Sequence, residues 1–207
     1  MISHAQIRDI NIKGNGLDIA LGDNSPSYYD STDFELAVWN NNRSVTYTIE
    51  NTGAQDLYVF SINISGLGSS YFSTPALGSP LIIPGASSTT FVVTFNPAMT
   101  SDVKTATISV NSDDPDENNY SFDIKGQGTN QYYFYGSGNW NETWRWLRGY
   151  PGNTIPSGYA FYGNASETLT IPTGMNITNG GTFFHDGNLN VASGATLDNT
   201  GNLRFIS

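Results

Sequence analysis

The sequence predicts an all-β protein that consists of an immunoglobulin-like β-sandwich followed by a short β-solenoid. Three observations predict this fold class: runs of alternating apolar and polar residues, turn residues between the runs, and a 14-residue repeat near the C-terminus. The 207 residues include 22 Gly and 9 Pro, and only 13% of them are charged. Gly, Asn and β-branched residues are poor helix formers, and no apolar pattern with helical spacing is sustained along the chain.

Strands with one buried face are predicted between residues 44 and 125. Apolar side chains there occupy every second position, with Thr or Ser at many of the others, as in strands that have one face on a core and one in water. The alternating apolar positions are Val45, Tyr47, Ile49, Phe91, Val93, Phe95, Ala106, Ile108, Val110, Tyr120, Phe122 and Ile124. Residues 10–12 and 57–64 add further strands, and about seven strands are expected for an immunoglobulin-like sandwich.

Turn residues separate these strands. They are Asn51-Thr52-Gly53, Pro84-Gly85, Asn96-Pro97 and Asp114-Pro115. The chain contains no Cys, so it lacks the Cys–Trp–Cys pattern of antibody domains, and thiol nucleophiles and thiolate metal sites are excluded.

Several stretches of this region resemble a known bacterial module. In chain order they are INIKGNGLDIALGDNSPS, STDF, TYTIENTGAQDLYV, STTFVVTFNP and KTATISVNSDDPDENNYSFDIKGQGT, within residues 7–129. They resemble the choice-of-anchor D repeat, which belongs to the ASH-like (ASPM-SPD-2-Hydin) group of β-sandwiches. The resemblance implies a non-catalytic sandwich of long multidomain surface proteins, which are often exported adhesins or carry variable C-terminal anchors. Residues 35–43, including Trp39, show no clear family pattern.

The C-terminal segment carries the 14-residue repeat. It reads TLTIPTGMNITNGG, TFFHDGNLNVASGA and TLDNTGNLRFIS, so that like residues fall into columns. The columns are Thr168, Thr182 and Thr196; Leu169, Phe183 and Leu197; Met175, Leu189 and Leu203; and Ile177, Val191 and Phe205. A fixed period with apolar columns predicts a solenoid in which each coil, made of two short strands and two tight turns, stacks its like residues on the next. A plain antiparallel meander is the alternative.

An association surface is predicted at the end of this repeat. The third copy stops two residues short, at Ser207. The last coil of a solenoid presents unpaired backbone N–H and C=O groups, so either the native chain continues or another molecule covers the edge. We therefore expect Leu203, Phe205 and Ile206 to form an assembly edge.

The sequence divides into three predicted parts. We expect residues 1–129 to form the sandwich, residues 130–153 an aromatic-rich junction, and residues 154–207 the solenoid, which is either truncated or continued by another chain. The segment 136–207, which contains SGNWN, resembles β-helical segments of exported Bacteroidota-type adhesins. Low charge and abundant Thr, Ser, Asn and Gly favour a secreted or cell-surface protein of bacterial type.

The charge balance disfavours two classes of partner. The net charge is −10, from 18 acidic and 8 basic residues, and no cluster of Lys and Arg is present. A nucleic-acid binder needs such a cluster to displace counterions, and so does a protein that binds anionic membranes.

No apolar run is long enough to span a bilayer. The first residues contain no apolar segment of signal-peptide length, so we expect either a protein that is not exported or a mature or excised segment.

Four carboxylates within five positions form the best candidate for a metal site. They are Asp113, Asp114, Asp116 and Glu117. Calcium takes about six to eight oxygen ligands, often from loop carboxylates. The alternative, which we prefer, is that Asp114-Pro115 sets a turn and the carboxylates keep a hairpin tip solvated. We therefore expect no cofactor, with calcium as the one candidate.

The aromatic residues of the predicted junction form a second candidate site. Trp140, Trp144, Trp146 and Tyr150 are expected either to stack on sugar rings or to fill the junction between sandwich and solenoid.

Catalysis has little support in the sequence. His4 and His185 lie apart, and no nucleophile elbow, zinc-type His pair or phosphate loop is present. We therefore expect a non-enzymatic structural or adhesive module, acting as a spacer, stalk or self-assembling fibre unit that contacts neighbouring domains or identical subunits through strand edges. The alternative function is a carbohydrate-binding module that recognises surface glycans.

Overall fold

The computed structural model describes residues 7–78, 80–147 and 149–205. The chain divides into two compact units, Met1–Gly128 and Thr129–Ser207. Apart from two short 3-10 helices, Ser69–Tyr71 and Thr143–Arg145, the regular elements of the described residues are β-strands, which confirms the all-β prediction. Within the described ranges, no helix has the length and apolar character needed to cross a bilayer.

The first unit is a β-sandwich of two five-stranded sheets. Sheet A has the order β2-β1-β4-β8-β6, and sheet B has the order β3-β10-β9-β5-β7. The strands are β1 (Ile10–Gly14), β2 (Leu17–Ile19), β3 (Asp33–Val38), β4 (Arg43–Asn51), β5 (Leu57–Ser65), β6 (Phe72–Ser73), β7 (Leu81–Ile83), β8 (Ser87–Phe95), β9 (Val103–Ser112) and β10 (Asn119–Thr129). The alternating apolar positions of the sequence face the core between the sheets.

Strand β3 supplies a core residue at the end of the STDF stretch, directly before residues 35–43. Phe34 is fully buried, and its ring centroid lies 5.4 Å from that of Phe72 and 6.2 Å from that of Phe95. The alternation fails at Glu35 because this residue has a positive φ of 54°, which disturbs the strand geometry. Trp39 follows the strand, and its Nε1 donates to the carbonyl oxygen of Thr100 at 3.0 Å.

The second unit is built from three sheets of mostly parallel strands. Sheet C has the order β13-β11-β15-β18-β21, sheet D the order β12-β16-β19, and sheet E the order β14-β17-β20. The strands are β11 (Gln131–Phe134), β12 (Gly138–Asn139), β13 (Trp146–Leu147), β14 (Thr154–Ile155), β15 (Ala160–Gly163), β16 (Thr168–Ile171), β17 (Asn176–Asn179), β18 (Thr182–His185), β19 (Asn188–Val191), β20 (Thr196–Asn199) and β21 (Asn202–Phe205). Residues 130–153 therefore contribute strands to this unit.

The winding of the second unit differs from the predicted 14-residue coil. Strands three places apart in the chain pair in parallel, so that β16 pairs β19, β17 pairs β20 and β18 pairs β21. In these three pairs, aligned residues lie 20 positions apart, as Asn179 and Asn199 do. One winding therefore contains three strands and three corners.

The predicted columns were wrong because they join strands of different sheets. Leu169, Phe183 and Leu197 lie in sheets D, C and E, respectively. Successive strands begin eight or six residues apart, and 14 residues span two corners rather than the three that complete a winding. Leu169 instead aligns with Leu189, and Phe183 aligns with Leu203.

The core of the second unit is a column of inward side chains. Leu169, Ile171, Ile177 and Phe183 are fully buried. Asn179 is also fully buried at a corner, where its Nδ2 donates to the Oδ1 of the aligned Asn199 at 2.6 Å and to the carbonyl oxygen of Asn202 at 3.0 Å. Amide hydrogen bonds therefore continue the stacking of the apolar residues at this corner.

Candidate functional site

Asp114, one of the four predicted calcium ligands, accepts three backbone hydrogen bonds. Only 1% of its surface is exposed. Its Oδ1 accepts from the N–H groups of Asp116 at 3.1 Å and Glu117 at 3.0 Å, within the turn between β9 and β10. Its Oδ2 accepts from the N–H of Ile10 at 2.7 Å, which ties the turn to β1. Asp114 therefore joins two segments that are 104 positions apart in the chain.

Asp113 points away from this group. Its Oδ1 accepts from the N–H of Tyr58 at 2.8 Å, and its Oδ2 lies 3.1 Å from the Nε of Arg8. The side chain thus fastens the same turn to the start of β5 rather than facing Glu117. Adjacent residues of an extended segment point in opposite directions, which explains why neighbours in the sequence do not share a site.

The structure brings together a different set of carboxylates. Oxygen atoms of Asp9, Asp114 and Glu117 all lie within 4.8 Å of one another. The hydroxyl of Thr52 donates to Oδ2 of Asp9. The sequence analysis missed Asp9, because Asp9 and the turn between β9 and β10 are far apart in the chain. Only the folded structure shows that they meet. The calcium hypothesis for Asp113, Asp114, Asp116 and Glu117 stays a prediction, and the three clustered oxygens are the ones that would face a single ion.

The local electrostatics of this cluster disfavour ionisation of Glu117. Burial raises the pKa of Glu117 above its ordinary value, and the negative charges of Asp114, Asp9 and Asp116 raise it further. The cluster borders a shallow groove of about 400 Å³ that includes Asp18 and Tyr120. The structure therefore shows a negatively charged depression at one end of the sandwich.

The four predicted sugar-binding aromatics are divided between the core and the surface. Trp140 is fully buried and Trp146 is 5% exposed, with ring centroids 4.6 Å apart. The indole N–H of Trp140 donates to the carbonyl oxygen of Gly152 at 2.7 Å, and that of Trp146 donates to the carbonyl oxygen of Trp140 at 2.8 Å. Tyr150 is half-buried, 5.8 Å from the Trp146 ring. Two of the four rings are thus core residues of the second unit.

Trp144 is the exposed member of the set, with 72% of its surface accessible. The guanidinium carbon of Arg145 lies 4.0 Å from the centre of its ring and covers one face. Arg145 is held in turn by Glu142, whose pKa is lowered chiefly by this hydrogen bond, and it donates from Nη1 to the carbonyl oxygen of Tyr135 at 3.3 Å. The other face of Trp144 is available to a ligand.

A second row of aromatic side chains follows the outer face of sheet C. The ring centroids of Tyr133 and Tyr162 lie 5.2 Å apart, as do those of Tyr162 and Phe184, with interplanar angles of 18° and 10°. The guanidinium of Arg204 lies 5.8 Å from the Phe184 ring. Because neighbouring rings cover one another's faces, this row offers ring edges rather than the open faces on which a sugar stacks. These aromatic residues occupy outward positions of aligned parallel strands. The sequence reveals the row only when the 20-residue winding is known.

The predicted assembly edge lies at the last winding of the second unit. Leu203 and Phe205 are 41% and 50% exposed, and Val191 is 42% exposed, although each aligns with a buried residue of the preceding winding. Ile206 lies outside the described residues. Strands β19, β20 and β21 are the last strands of sheets D, E and C, and no described residue pairs with their outer edges.

Aromatic side chains cover the apolar column at the opposite end of the second unit. Strand β13 pairs antiparallel with β11 and forms the first edge of sheet C. Trp140 covers the aromatic column, with its ring centroid 5.6 Å from that of Phe161 and 6.3 Å from that of Phe183. The two indoles satisfy their polar atoms within the unit, and the edge strands β12, β13 and β14 at this end have only two residues each.

Comparisons with known proteins give structural similarities of low extent. No family model matches the chain, and no curated protein matches it in sequence. Similar solved structures include a protein of unknown function from Porphyromonas gingivalis W83, with 15% identity and a TM-score of 0.40, where the alignment covers 61% of this chain and 49% of that chain. This chain therefore spans about half of the length of the Porphyromonas protein.

Two other similar structures are single domains. The ASH/PapD-like domain 7 of human CEP192 is 11% identical with a TM-score of 0.38, and the alignment covers 62% of this chain and 90% of that one. The N-terminal domain of PorA is 9% identical with a TM-score of 0.38, over 58% of this chain and 98% of that one. None of these three likenesses identifies the family or the function of the chain, and its membership of the ASH-like group stays a prediction.

Proposed function

We propose that this chain is a non-catalytic structural module of an extracellular or cell-surface protein, and that its second unit is a short β-solenoid whose last winding binds further β-strands. The observation that carries the proposal is the contrast between the two ends of the second unit. At the first end, Trp140 and Trp146 cover the apolar column, and the edge strands β12, β13 and β14 have two residues each. The last winding instead presents three four-residue strand edges and a half-exposed apolar column.

The open edges have the chemistry of a strand-addition site. The N–H of Asn202 donates to the carbonyl oxygen of Gly181 at 2.8 Å, towards β18. Because alternate residues of a parallel strand direct their backbone groups to opposite sides, the N–H groups of Leu203 and Phe205 face the open edge. A strand that pairs there satisfies these groups and covers the two apolar side chains at the same time.

The proposal needs partners that offer β-strands, which are neighbouring domains or identical subunits. It assigns no catalytic residue and no cofactor to the chain. A net charge of −10 argues against nucleic acid as the partner. Spacers and stalks of surface proteins need stable repeating structure and strand-mediated contacts rather than an enclosed pocket.

Sedimentation velocity of the purified chain tests the proposal. We expect the weight-average sedimentation coefficient to rise between about 1 and about 100 µM as the open ends associate. Replacing the half-exposed Phe205 by Lys places a charge at the edge and should abolish this rise. Leu67→Lys serves as the control, because Leu67 is fully exposed in the sandwich. A chain that remains monomeric over this range contradicts binding between identical subunits.

Carbohydrate binding is a second candidate, and the observation that favours it is the rigid, open face of Trp144. Its Arg145 support fixes the ring without covering both faces. Glycan-array binding that is lost in Trp144→Ala but kept in Tyr150→Phe would support this function. Absence of binding to any arrayed glycan would exclude the glycans tested.

A further inference from the structure

We propose that strand β8 of the sandwich is a separate strand-addition site, where an extended, uncharged segment of another polypeptide pairs with its open side. The site lies in the first unit and in a different sheet from the last winding of the second unit. The two sites can therefore be tested separately.

Strand β8 is a long strand whose two sides are paired to very different extents. On one side, all nine residues of Ser87–Phe95 pair with β4 without a register shift. On the other side, β6 pairs only with Thr94 and Phe95. No residue that the structure describes pairs with this side between Ser87 and Val93. Residues 87–93 of a regular strand therefore have one open side.

The backbone of this stretch directs hydrogen-bonding groups to the open side. The N–H of Asn96, directly after β8, donates to the carbonyl oxygen of Tyr71 at 2.7 Å, on the side of β6. Backbone groups of alternate residues in an antiparallel strand point to opposite sides. The N–H and C=O groups of Ser88, Thr90 and Val92 therefore point to the same side, beyond the end of β6. An added strand would pair with these donors and acceptors.

Strands β2, β3 and β7, at the other edges of the sandwich, have features that oppose strand addition. β2 and β7 have only three residues each, and β3 contains the positive φ of Glu35. Short strands and irregular backbone protect sheet edges, as do Lys, Pro and β-bulges. The sequence of β8, SSTTFVVTF, contains no charged residue and no Pro, and its pairing with β4 contains no bulge. The open side of β8 is therefore suited to an added strand.

The two faces of β8 indicate which segment fits. On the outer face, Ser88 and Thr90 are exposed, and hydroxyl side chains of adjacent strands form favourable cross-strand pairs. On the inner face, Phe91 is almost fully buried and Val93 is fully buried, so an apolar neighbour suits this face. Inward residues must pair with inward residues. The segment that fits therefore alternates hydroxyl and apolar side chains.

The charges around β8 favour an uncharged segment. β8 has no charged residue, and its neighbour β4 has two, Arg43 and Glu50. Both are already paired, Arg43 with Glu35 and Glu50 with Lys13. A charged side chain of an added strand would lose hydration on pairing and would find no unpaired countercharge on β8 or β4.

Amide hydrogen exchange resolved by NMR tests whether this side of β8 is open. In the free chain, the amides of Ser88, Thr90 and Val92 should exchange at least tenfold faster than those of Thr89 and Phe91, which face β4. Equally slow exchange at all five positions would overturn the proposal, because it would show that the side is already occupied.

A seven-residue peptide of alternating Thr and Val, with a Gly-Ser tail for solubility, is the probe for binding. It is titrated into the Phe205→Lys chain, in which a charge blocks the proposed site of the last winding. We expect the peptide to slow exchange at Ser88, Thr90 and Val92. A control peptide with Pro at its central position lacks one N–H donor and should bind at least tenfold more weakly.

Two substitutions at Thr90 locate the peptide on β8. Thr90→Pro removes an N–H that faces the open side and leaves the hydrogen bonds to β4 in place, and Thr90→Lys adds a charge at the same position. Both should raise the Kd of the peptide at least tenfold. Thr46→Lys is the matched control and should leave Kd unchanged, because Thr46 is exposed on the same outer face, one strand away in β4. Circular dichroism and thermal melting confirm that the variants fold.

Two results of the titration would overturn the inference. One is unchanged exchange at Ser88, Thr90 and Val92 with peptide at about 1 mM. The other is binding that Thr90→Lys and Thr46→Lys weaken equally, because it would place the peptide away from the open side of β8. Neither result alters the sedimentation test of the last winding, so failure of this site and failure of the proposed function are distinguishable.

Discussion

The two units of this chain bury apolar residues between β-sheets by different means. In the sandwich, partners lie far apart in the sequence, as in the hydrogen bond from Ile10 to Asp114 across 104 positions. In the second unit, aligned residues such as Asn179 and Asn199 are 20 positions apart, and each winding packs on the next. A sandwich core is therefore complete only when its whole chain has folded, whereas a stack of windings always has two end surfaces.

The largest effect is expected at the first end of the stack, in Trp140→Ala. The indole is fully buried, packs on Trp146 and Phe161, and donates to the carbonyl oxygen of Gly152. Its loss leaves a cavity, and we expect the free energy of unfolding of the second unit to fall by about 3–5 kcal/mol. Urea denaturation followed by circular dichroism measures this change.

Trp144→Ala is the matched control for this experiment, because Trp144 is 72% exposed. Its effect should stay below about 1 kcal/mol. Hydrogen exchange should show that Trp140→Ala lowers the protection of β15 and β18 and leaves β4 and β8 unchanged. Equal loss of protection in both units would contradict the picture of separate cores.

A smaller effect is expected in the sandwich, in Asp114→Ala. This buried carboxylate accepts hydrogen bonds from the N–H groups of Ile10, Asp116 and Glu117. Removal leaves the buried N–H of Ile10 and two partly buried N–H groups without acceptors, and we expect a loss of about 2–4 kcal/mol in the free energy of unfolding. Asp114→Asn keeps one acceptor oxygen and should lose less. A variant as stable as the wild type would show that solvent replaces the carboxylate.

The next prediction concerns the fit between windings, in Gly163→Ala. A Cβ atom at Gly163 would lie 2.2 Å from Nδ1 of His185 in the aligned strand. The imidazole cannot withdraw easily, because it is fully buried and its Nε2 is 2.9 Å from the carbonyl oxygen of Asn188. We expect a loss of about 1–3 kcal/mol from overpacking. Gly78→Ala, which has open space around it, should change the stability by less than about 0.5 kcal/mol.

The same contrast between the units explains what the sequence predicted well. The sandwich strands were predicted because an antiparallel strand with one wet face alternates strictly, as Tyr47 and Ile49 do beside Phe91 and Val93. Strand β3 was missed because Leu36, Ala37 and Val38 are consecutive apolar residues and break the alternation. In the second unit every strand has a similar pattern, so periodicity identified repeating strands but could not determine how many corners complete a winding.

The candidate sites were less predictable, since they depend on which side chains meet. Asp113 and Asp114 are adjacent in the sequence but face different partners, while Asp9, which is distant in the sequence, lies close to Glu117. Trp140, Trp144 and Trp146 look alike in composition, yet two are core residues and one is exposed. Composition predicts that such residues are present, and only the pairing register determines which of them share a surface.

The smallest effect is expected from Glu117→Gln, and it depends on pH. Burial and the neighbouring carboxylates raise the pKa of Glu117 above its ordinary value of 4.5. The folded state therefore favours the protonated acid. This contribution to stability is fully present below pH 4.5 and is lost as the pH rises through the raised pKa. Because Gln mimics the neutral acid, Glu117→Gln should be more stable than the wild type at neutral pH and equally stable in acid.

Solvent screening should limit the gain in Glu117→Gln to less than about 1 kcal/mol, because Glu117 is only partly buried. Thermal melting of both proteins at neutral and acidic pH measures the difference, and Asp198→Asn, at an exposed position of the last winding, provides the control. A cation that neutralises Asp9, Asp114 and Glu117 would stabilise the wild type more than the variant. Melting with added calcium and with EDTA therefore tests the calcium hypothesis. Equal midpoints under both conditions would exclude it and leave burial of Glu117 and repulsion from its neighbouring carboxylates as the causes of the pH dependence.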